Sequence, residues 1–231
     1  MTFKSLASSS SGNAYIITDA DTDGVTNILL ECGLRFKELE IKLEHKLSDI
    51  TACLITHEHV DHSKSHRELT ERGIPVYSSA GTAEALENTL IRTVEEKAIF
   101  SVGSIKVLPF GVFHDAAQPF GFLLRGGDGE TLLFATDTRS IPCTVDGLNI
   151  AAVECNHDRR MLECDNAEPW IKRAANTHMS IETLCEYLDK LDRSRLRQIY
   201  LLHMSDRHAD EGAYVKLIYN RYHIKTTVCA K

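Results

Sequence analysis

The chain lacks the features that mark several large classes of protein. None of its apolar runs approaches the length that a membrane span requires, and its first residues contain no apolar signal-peptide core. Its seven cysteines are odd in number and include no Cys-x-x-Cys pair, which argues against a disulfide framework and against a zinc ribbon. These absences predict a cytoplasmic protein that does not act on membranes.

Positive charge is also scarce. The chain has 26 lysines and arginines against 33 aspartates and glutamates, a formal net charge of −7. This balance argues against a strongly basic nucleic-acid-binding surface, although it allows a local basic patch. At 231 residues and 43% hydrophobic content, without repeats or a long linker, the chain is expected to form one domain over residues 1–231. The sequence leaves the oligomeric state open, a homodimer included.

Short apolar runs alternate with helical segments along the whole chain. Apolar spacing predicts helices over residues 35–46, 63–72, 82–90, 180–191 and 210–222, with Ser180 as an N-cap. Apolar runs predict strands that include residues 14–17, 27–30, 51–55, 104–110, 121–124, 132–134, 150–153, 199–202 and 224–228. Strands interspersed with helices in this way predict an α/β sandwich of mixed β-sheets.

The eleven histidines are informative through their placement. The hexapeptide His57-Glu58-His59-Val60-Asp61-His62 directly follows the apolar run at 51–55. Three imidazoles and two carboxylates in six residues are costly to bring together unless a cation binds them. Because alternate residues of an extended chain point the same way, we expect His57, His59 and Asp61 to share one side of an extended segment over 57–61.

Further residues with metal-ligand chemistry follow other apolar runs, namely Glu31, His114, Asp137, Glu154, His157 and His203. Ligand sites of α/β sheets gather outside the carboxyl ends of the strands, so these residues are expected to converge. One ion would be held by His57, His59 and His114, and a second by Asp61, His62 and His203, with Asp137 bridging the two. Two divalent ions about 3.5–4 Å apart hold a bridging hydroxide at neutral pH. The ligand chemistry does not choose between zinc, manganese and iron.

This pattern of H-x-H-x-D-H followed by His, Asp and His at later strand ends resembles the metallo-β-lactamase superfamily. Other segments resemble its WalJ/YycJ-like branch: Ser9 to Ala14, Thr56 to His59, His114 to Ala116, Asn156 to Asp158 with Met161-Leu162, and His203 to Ser205. The resemblance implies a four-layer αββα sandwich of two mixed β-sheets with a dinuclear site at one edge. It also implies phosphodiester chemistry, including 5′-exonuclease activity on DNA.

Two positions depart from the family pattern. Glu31 stands where the superfamily usually has an aspartate that orients ligands, and its side chain is one carbon longer. A Gly-His-Leu-Ser segment of the family reads Thr177-His178-Met179-Ser180 here, so that the histidine and serine are kept and the glycine is lost.

The expected reaction is metal-assisted hydrolysis of a phosphodiester in a nucleic acid or a smaller substrate. Asp61 belongs to the catalytic centre as a metal ligand, and His178 or His157 would protonate the leaving group. Asn156, Arg159 and Arg160 are predicted to contact the substrate phosphate. A solvated helix face explains the two arginines equally well, and His157 and His178 also fit a structural role. His66 is interpreted as a surface residue of a helix.

Two other functions stay open on the sequence alone. The same metal platform serves hydrolases of thioesters, lactones and β-lactams. A metal-dependent protein that binds a nucleotide or a nucleic-acid end without cutting it would also carry these ligands.

Overall fold

The computed structural model describes residues 1–22, 24–162, 173, 176–205 and 209–229, with only the backbone at 161–162. The described chain forms two compact units. Unit 1 comprises Met1–Gly111 and Ala116–Glu130, and unit 2 comprises Val112–Asp115 and Thr131–Cys229. The expectation of one domain over residues 1–231 stays a prediction.

Unit 1 contains a six-stranded mixed sheet whose strands follow chain order: β1 (Thr2–Ser9), β2 (Gly12–Asp21), β3 (Gly24–Leu30), β4 (Ala52–Leu54), β5 (Val76–Ser78) and β6 (Arg92–Thr93). The first three strands are antiparallel, and β3 to β6 are parallel. An antiparallel meander adds β7 (Phe100–Val102), β8 (Ile105–Gly111) and β9 (Phe120–Arg125). The parallel pairing places the carboxyl ends of β3 and β4 at the same edge of the sheet.

The helices of unit 1 are short: α1 (Phe36–Lys42), a 3₁₀ turn (Leu47–Asp49), α2 (Val60–Ser63), α3 (His66–Glu71) and α4 (Ala80–Ala85). The helix predicted over 35–46 ends early because Glu44 and His45 adopt positive φ angles of 54° and 60°. Leu39 of α1, Leu69 of α3 and Ala83 of α4 pack in one hydrophobic core.

Unit 2 is built on four parallel strands: β10 (Thr131–Ala135), β11 (Ile150–Glu154), β12 (Gln198–Leu202) and β13 (Lys225–Val228). It also contains a 3₁₀ turn (Arg159–Leu162) and the helices α5 (Ile181–Lys190) and α6 (Glu211–Tyr222). The predicted N-cap of α5 is confirmed, since Ser180 Oγ accepts a hydrogen bond from Thr183 N at 3.2 Å. Asp210 caps α6 in the same way.

The interpretation of His66 as a surface residue is wrong. Its side chain is buried in unit 1, and its Nδ1 lies 2.9 Å from the Asn88 amide nitrogen. Local helical spacing gave no sign of this partner, which comes from a distant part of the chain. Separately, none of the helices within the described residues is long and apolar enough to cross a membrane.

Helix α1 offers a test of the core of unit 1. Leu39 is fully buried, whereas Ile41 on the same helix is 57% exposed. We expect Leu39→Ala to lower the free energy of unfolding by about 2–5 kcal/mol, because it leaves a cavity in a packed core. Ile41→Ala should change it by less than about 0.5 kcal/mol. Urea unfolding followed by circular dichroism measures both, and equal effects would contradict the packing described.

Candidate functional site

The hexapeptide lies at the carboxyl end of β4 in unit 1. Helix α2 begins at Val60, and His59 before it has φ −56° and ψ 143°. The prediction of an extended segment over 57–61 is therefore wrong for its last two residues. The backbone N–H groups of His62 and Ser63 both donate to the His59 carbonyl, at 2.9 and 3.0 Å, and these bonds turn the chain into the helix.

The three imidazoles of the hexapeptide form a cluster. His57 Nε2 lies 3.1 Å from His59 Nδ1, and the ring centroids of His57 and His62 are 4.2 Å apart. His57 Nδ1 contacts Thr56 Oγ1 at 2.8 Å, which holds the orientation of the ring. Imidazole nitrogens brought together in this way are suited to zinc, iron or manganese.

Glu31, which stands where the superfamily usually has an aspartate, lies close to His62. It is fully buried at the end of β3, with a positive φ of 63°. Its carboxylate accepts from the Thr56 backbone N–H at 3.3 and 3.4 Å, and its Oε1 lies 3.7 Å from His62 Nδ1. Burial raises the pKa of Glu31, although His62 and Thr56 act in the opposite direction. The Glu31 carboxylate thus lies beside Nδ1 of His62, while the Asn13 amide lies beside Nε2.

Asn13, which belongs to the segment Ser9 to Ala14, also contacts the hexapeptide. It is fully buried at the start of β2, and its amide nitrogen lies 3.2 Å from both the Asp61 carbonyl and His62 Nε2. Tyr15 OH donates to Asn13 Oδ1 at 3.0 Å, and Ser8 Oγ lies 2.8 Å from the same hydroxyl. This buried chain of hydrogen bonds holds the hexapeptide against the first hairpin, in which Ser9 of β1 pairs with Gly12 of β2.

In unit 2, the predicted convergence at strand ends is observed among its own residues. Asp137, Glu154 and His203 follow or end the parallel strands β10, β11 and β12, whose registers place Ala135 beside Val153 and Val153 beside Leu201. Asp137 and His203 have positive φ angles of 36° and 49°. Such backbone conformations are costly for residues other than glycine, and they cluster at functional sites.

Glu154 is the centre of this arrangement, although it was not predicted as a site residue. Its Oε1 lies 2.5 Å from His178 Nδ1 and 3.3 Å from His203 Nδ1. Its Oε2 accepts from the backbone N–H groups of Thr138 at 2.8 Å and Met179 at 3.1 Å. Burial alone would raise the pKa of Glu154, but His178 and His203 outweigh it and the pKa is lowered. Its position after the apolar run 151–153 was the available signal.

His178 and His114 complete the cluster of unit 2. Burial works to lower the pKa of His178, but the Glu154 carboxylate outweighs it and the pKa is raised. Burial lowers the pKa of His114, whose Nε2 lies 3.7 Å from Asp137 Oδ2 and whose Nδ1 lies 3.2 Å from the Thr177 carbonyl. One ligand atom from each of Asp137, Glu154, His178 and His203 lies within 4.8 Å of the others. The donor set of two carboxylates and two imidazoles fits a divalent metal ion.

The predicted substrate contacts have protein partners in the structure. Asn156 Nδ2 donates to the His203 carbonyl at 2.8 Å. His157 is buried, and its Nδ1 has no hydrogen-bond partner among the described residues. Arg159 pairs with Glu186 at 2.9 Å, and Arg160 pairs with Asp158. A phosphate would have to compete with these carboxylates, and the substrate roles stay predictions. Met161 and Leu162 have no described side chains.

Comparisons with known proteins identify the family of this chain. A family model described as a β-lactamase superfamily domain matches residues 26–204. The chain is 33% identical over 224 residues to exodeoxyribonuclease YycJ of Bacillus anthracis, covering 88% of this chain and 82% of that protein. It is 29% identical over 234 residues to exodeoxyribonuclease WalJ of Streptococcus pneumoniae, covering 92% and 85%.

The fold is also similar to the crystal structure of YhfI from Bacillus subtilis, a metallo-β-lactamase fold protein. The TM-score is 0.71 at 12% identity, and the match covers 99% of this chain and 95% of that chain. This likeness confirms the predicted fold class, an α/β fold of two mixed β-sheets with helices.

Gly33 provides a test of how the hexapeptide is held. A Cβ at this position would lie 1.6 Å from the Asp61 carbonyl oxygen, a backbone atom that no side-chain movement can relieve. We expect Gly33→Ala to push the start of α2 away and to lower the free energy of unfolding by about 1–3 kcal/mol. Thermal unfolding measures the loss.

Gly212→Ala is the matched control. The nearest atom to its added Cβ is 3.7 Å away, and the residue lies in helix α6. Alanine there should stabilise the protein by about 0.5–1 kcal/mol. A Gly33→Ala protein as stable as the wild type would show that the contact with Asp61 is not close.

Proposed function

Because this chain belongs to the β-lactamase superfamily, we propose that it is a metal-dependent exonuclease that hydrolyses phosphodiester bonds of DNA. The observation that carries the proposal is the match, over most of the chain, to curated exodeoxyribonucleases. The two ligand clusters support it, because their histidines and carboxylates have the chemistry of a hydrolytic metal centre.

We infer that two divalent ions, zinc, manganese or iron, bind to seven ligands: His57, His59, Asp61, His62, His114, Asp137 and His203. When bound, such ions activate water at neutral pH and stabilise the charge that develops on the phosphate. Glu31 positions His62, and Glu154 positions His203, so that both ligands keep one tautomer and one orientation.

His178 is the proposed proton donor to the leaving oxygen. Its Nδ1 is engaged by Glu154 at 2.5 Å, which leaves Nε2 as the ring nitrogen that can face a substrate. The raised pKa of His178 favours the protonated ring, the form that a general acid requires. Asn156 supports the loop of His203 through its carbonyl, while His157, Arg159 and Arg160 are proposed to lie along the substrate path.

Removing one ligand tests the proposal. We expect His59→Ala or Asp61→Ala to reduce metal-dependent degradation of labelled DNA by about 10³-fold or more, because each ion supplies several kcal/mol of charge stabilisation. Asp146→Ala, at an exposed aspartate of unit 2, is the control and should retain activity. Full turnover by either ligand variant would contradict the assignment.

Metal removal gives a second test with its own readout. Dialysis against a chelator should abolish cleavage, and elemental analysis should show which ion leaves. Adding zinc, manganese or iron back one at a time identifies the ion that restores activity. A protein that hydrolyses a thioester or lactone but no DNA under any of these conditions would replace the proposed substrate with another class.

Glu154→Gln tests the buried carboxylate. The amide keeps the volume of the side chain but offers one acceptor oxygen where two backbone N–H groups and two imidazoles now bind. We expect metal affinity to fall by about 10–100-fold, as for other residues that orient metal ligands. Titration calorimetry with zinc measures it. Glu186→Gln, which loses only an exposed pair with Arg159, should bind zinc normally.

A further inference from the structure

The side-chain amide of Asn13 has its orientation fixed by backbone groups. Its Oδ1 accepts from the Ser9 backbone N–H at 3.1 Å, and its Nδ2 donates to the Ser9 carbonyl at 2.9 Å and to the Asp61 carbonyl at 3.2 Å. A backbone N–H only donates and a carbonyl only accepts, so exchanging the two ends of the amide would break all three bonds. The end of Asn13 that faces the hexapeptide is therefore the nitrogen, which is a donor.

Two hydroxyl groups support this orientation of the amide. Tyr15 OH donates to Asn13 Oδ1 at 3.0 Å, and because this bond uses the only proton of the phenol, Ser8 Oγ donates to Tyr15 at 2.8 Å. Tyr15 and Asn13 are fully buried, and Ser8 is 2% exposed. Leaving a polar group without a partner at such positions is costly, so the three side chains stabilise one arrangement of the network.

The donor end of Asn13 lies against the ring of His62, with Nδ2 3.2 Å from Nε2. A neutral imidazole carries its proton on one ring nitrogen and accepts on the other. Since Asn13 donates, Nε2 is the acceptor and the ring proton is on Nδ1, which lies 3.7 Å from Glu31 Oε1. The amide at Nε2 and the carboxylate near Nδ1 thus favour the same tautomer of His62.

From this geometry we propose that Asn13 is a positioning residue of the metal site. It keeps the proton of His62 on Nδ1, so that Nε2 presents its lone pair to a metal ion, and Tyr15 keeps Asn13 in the orientation that does so. The amide can release Nε2 to an ion, because the Asp61 carbonyl accepts from the same nitrogen. This inference rests on the proposed metal-dependent function and adds two residues to its metal site.

The first experiment determines the tautomer of His62 in the metal-free protein. Long-range nitrogen–proton correlation spectra distinguish the two ring nitrogens of a histidine, and comparison with His62→Gln identifies the signals of His62. We expect the wild type to carry the ring proton on Nδ1. Tyr15→Phe removes one hydroxyl and little volume, and it should populate the form protonated on Nε2. A wild-type ring protonated on Nε2 would overturn the proposal, and an unchanged Tyr15→Phe spectrum would overturn the role of Tyr15.

The second experiment measures zinc binding to the metal-free protein by titration calorimetry. We expect Asn13→Ala and Tyr15→Phe to weaken one zinc-binding step by about 10–100-fold, as for other residues that orient metal ligands. Asn88→Ala is the matched control, because Asn88 Nδ2 lies 2.9 Å from Nδ1 of another buried histidine, His66, which is not a proposed ligand. It should bind zinc as the wild type does. Unchanged zinc affinity in Asn13→Ala and Tyr15→Phe would contradict the positioning role.

A second control separates positioning from a general loss of stability. Tyr222 OH lies 2.9 Å from the Cys185 carbonyl oxygen and 3.0 Å from Asp189 Oδ1 in unit 2. Tyr222→Phe therefore also removes a hydroxyl that is hydrogen-bonded within the protein, but this hydroxyl contacts no proposed metal ligand. It should lower the melting temperature and leave zinc affinity unchanged. Equal weakening of zinc binding by Tyr222→Phe and Tyr15→Phe would show that stability alone explains the effect and would overturn the proposal.

The third experiment combines the two substitutions. Because Tyr15 is proposed to act through Asn13, Tyr15→Phe should cause no further loss of zinc affinity once Asn13 is alanine, and additive losses would overturn this link. If Asn13→Ala does not fold, Tyr15→Phe alone still decides the proposal through its spectrum and its zinc affinity. A wild type with the expected tautomer and zinc effects that cleaves no DNA would overturn the nuclease function and leave this inference in place.

Discussion

The buried carboxylate of Glu154 is the interaction on which the polar end of unit 2 depends. A charge that is fully removed from water is costly unless it is paired and hydrogen-bonded. Glu154 meets this condition with two backbone N–H groups and two imidazoles. These partners come from three loops, which contain Thr138, His178 with Met179, and His203, so one side chain sets the relative positions of the Asp137, His178 and His203 segments.

Unit 1 uses the same device with Glu31. Both carboxylates are fully buried at the end of a strand that has a parallel neighbour. Each accepts from the backbone N–H of an adjacent loop and approaches an imidazole. The longer side chain of Glu31 still reaches both Thr56 and His62, so its departure from the usual aspartate does not remove the interaction. Two buried acids that each orient a histidine make the two clusters alike in construction.

Positive φ angles also occur at the positions of these clusters. Glu31, Asp137 and His203 are among the non-glycine residues with positive φ, and all three sit where a strand ends. These conformations persist because the surrounding structure holds them. The buried strands pack on one side, and hydrogen bonds to the loops act on the other.

Much of this could be predicted from local sequence. Apolar runs followed by His, Asp or Glu indicated strand ends that carry ligands. This signal is local, because an apolar run and the polar residue that ends it are neighbours in the sequence. The fold class and the Ser180 cap followed from the same kind of pattern. The sequence did not predict where the helices begin and end. Positive φ angles at Glu44 and His45 follow the end of α1, and hydrogen bonds to the His59 carbonyl begin α2 at Val60.

What only the tertiary structure decided involves residues that are distant in sequence. Asn13 contacts His62, Gly33 approaches the Asp61 carbonyl, and Asn88 buries His66. Arg159 forms an ion pair with Glu186, and the exposed Arg139 lies over the Phe113 ring. Local spacing carries no information about such pairs, since it reflects which side of an element is buried and not which residue lies across from it. The sequence by itself thus determined the kinds of ligand and their place at strand ends, and the folded chain determined which partner orients each of them.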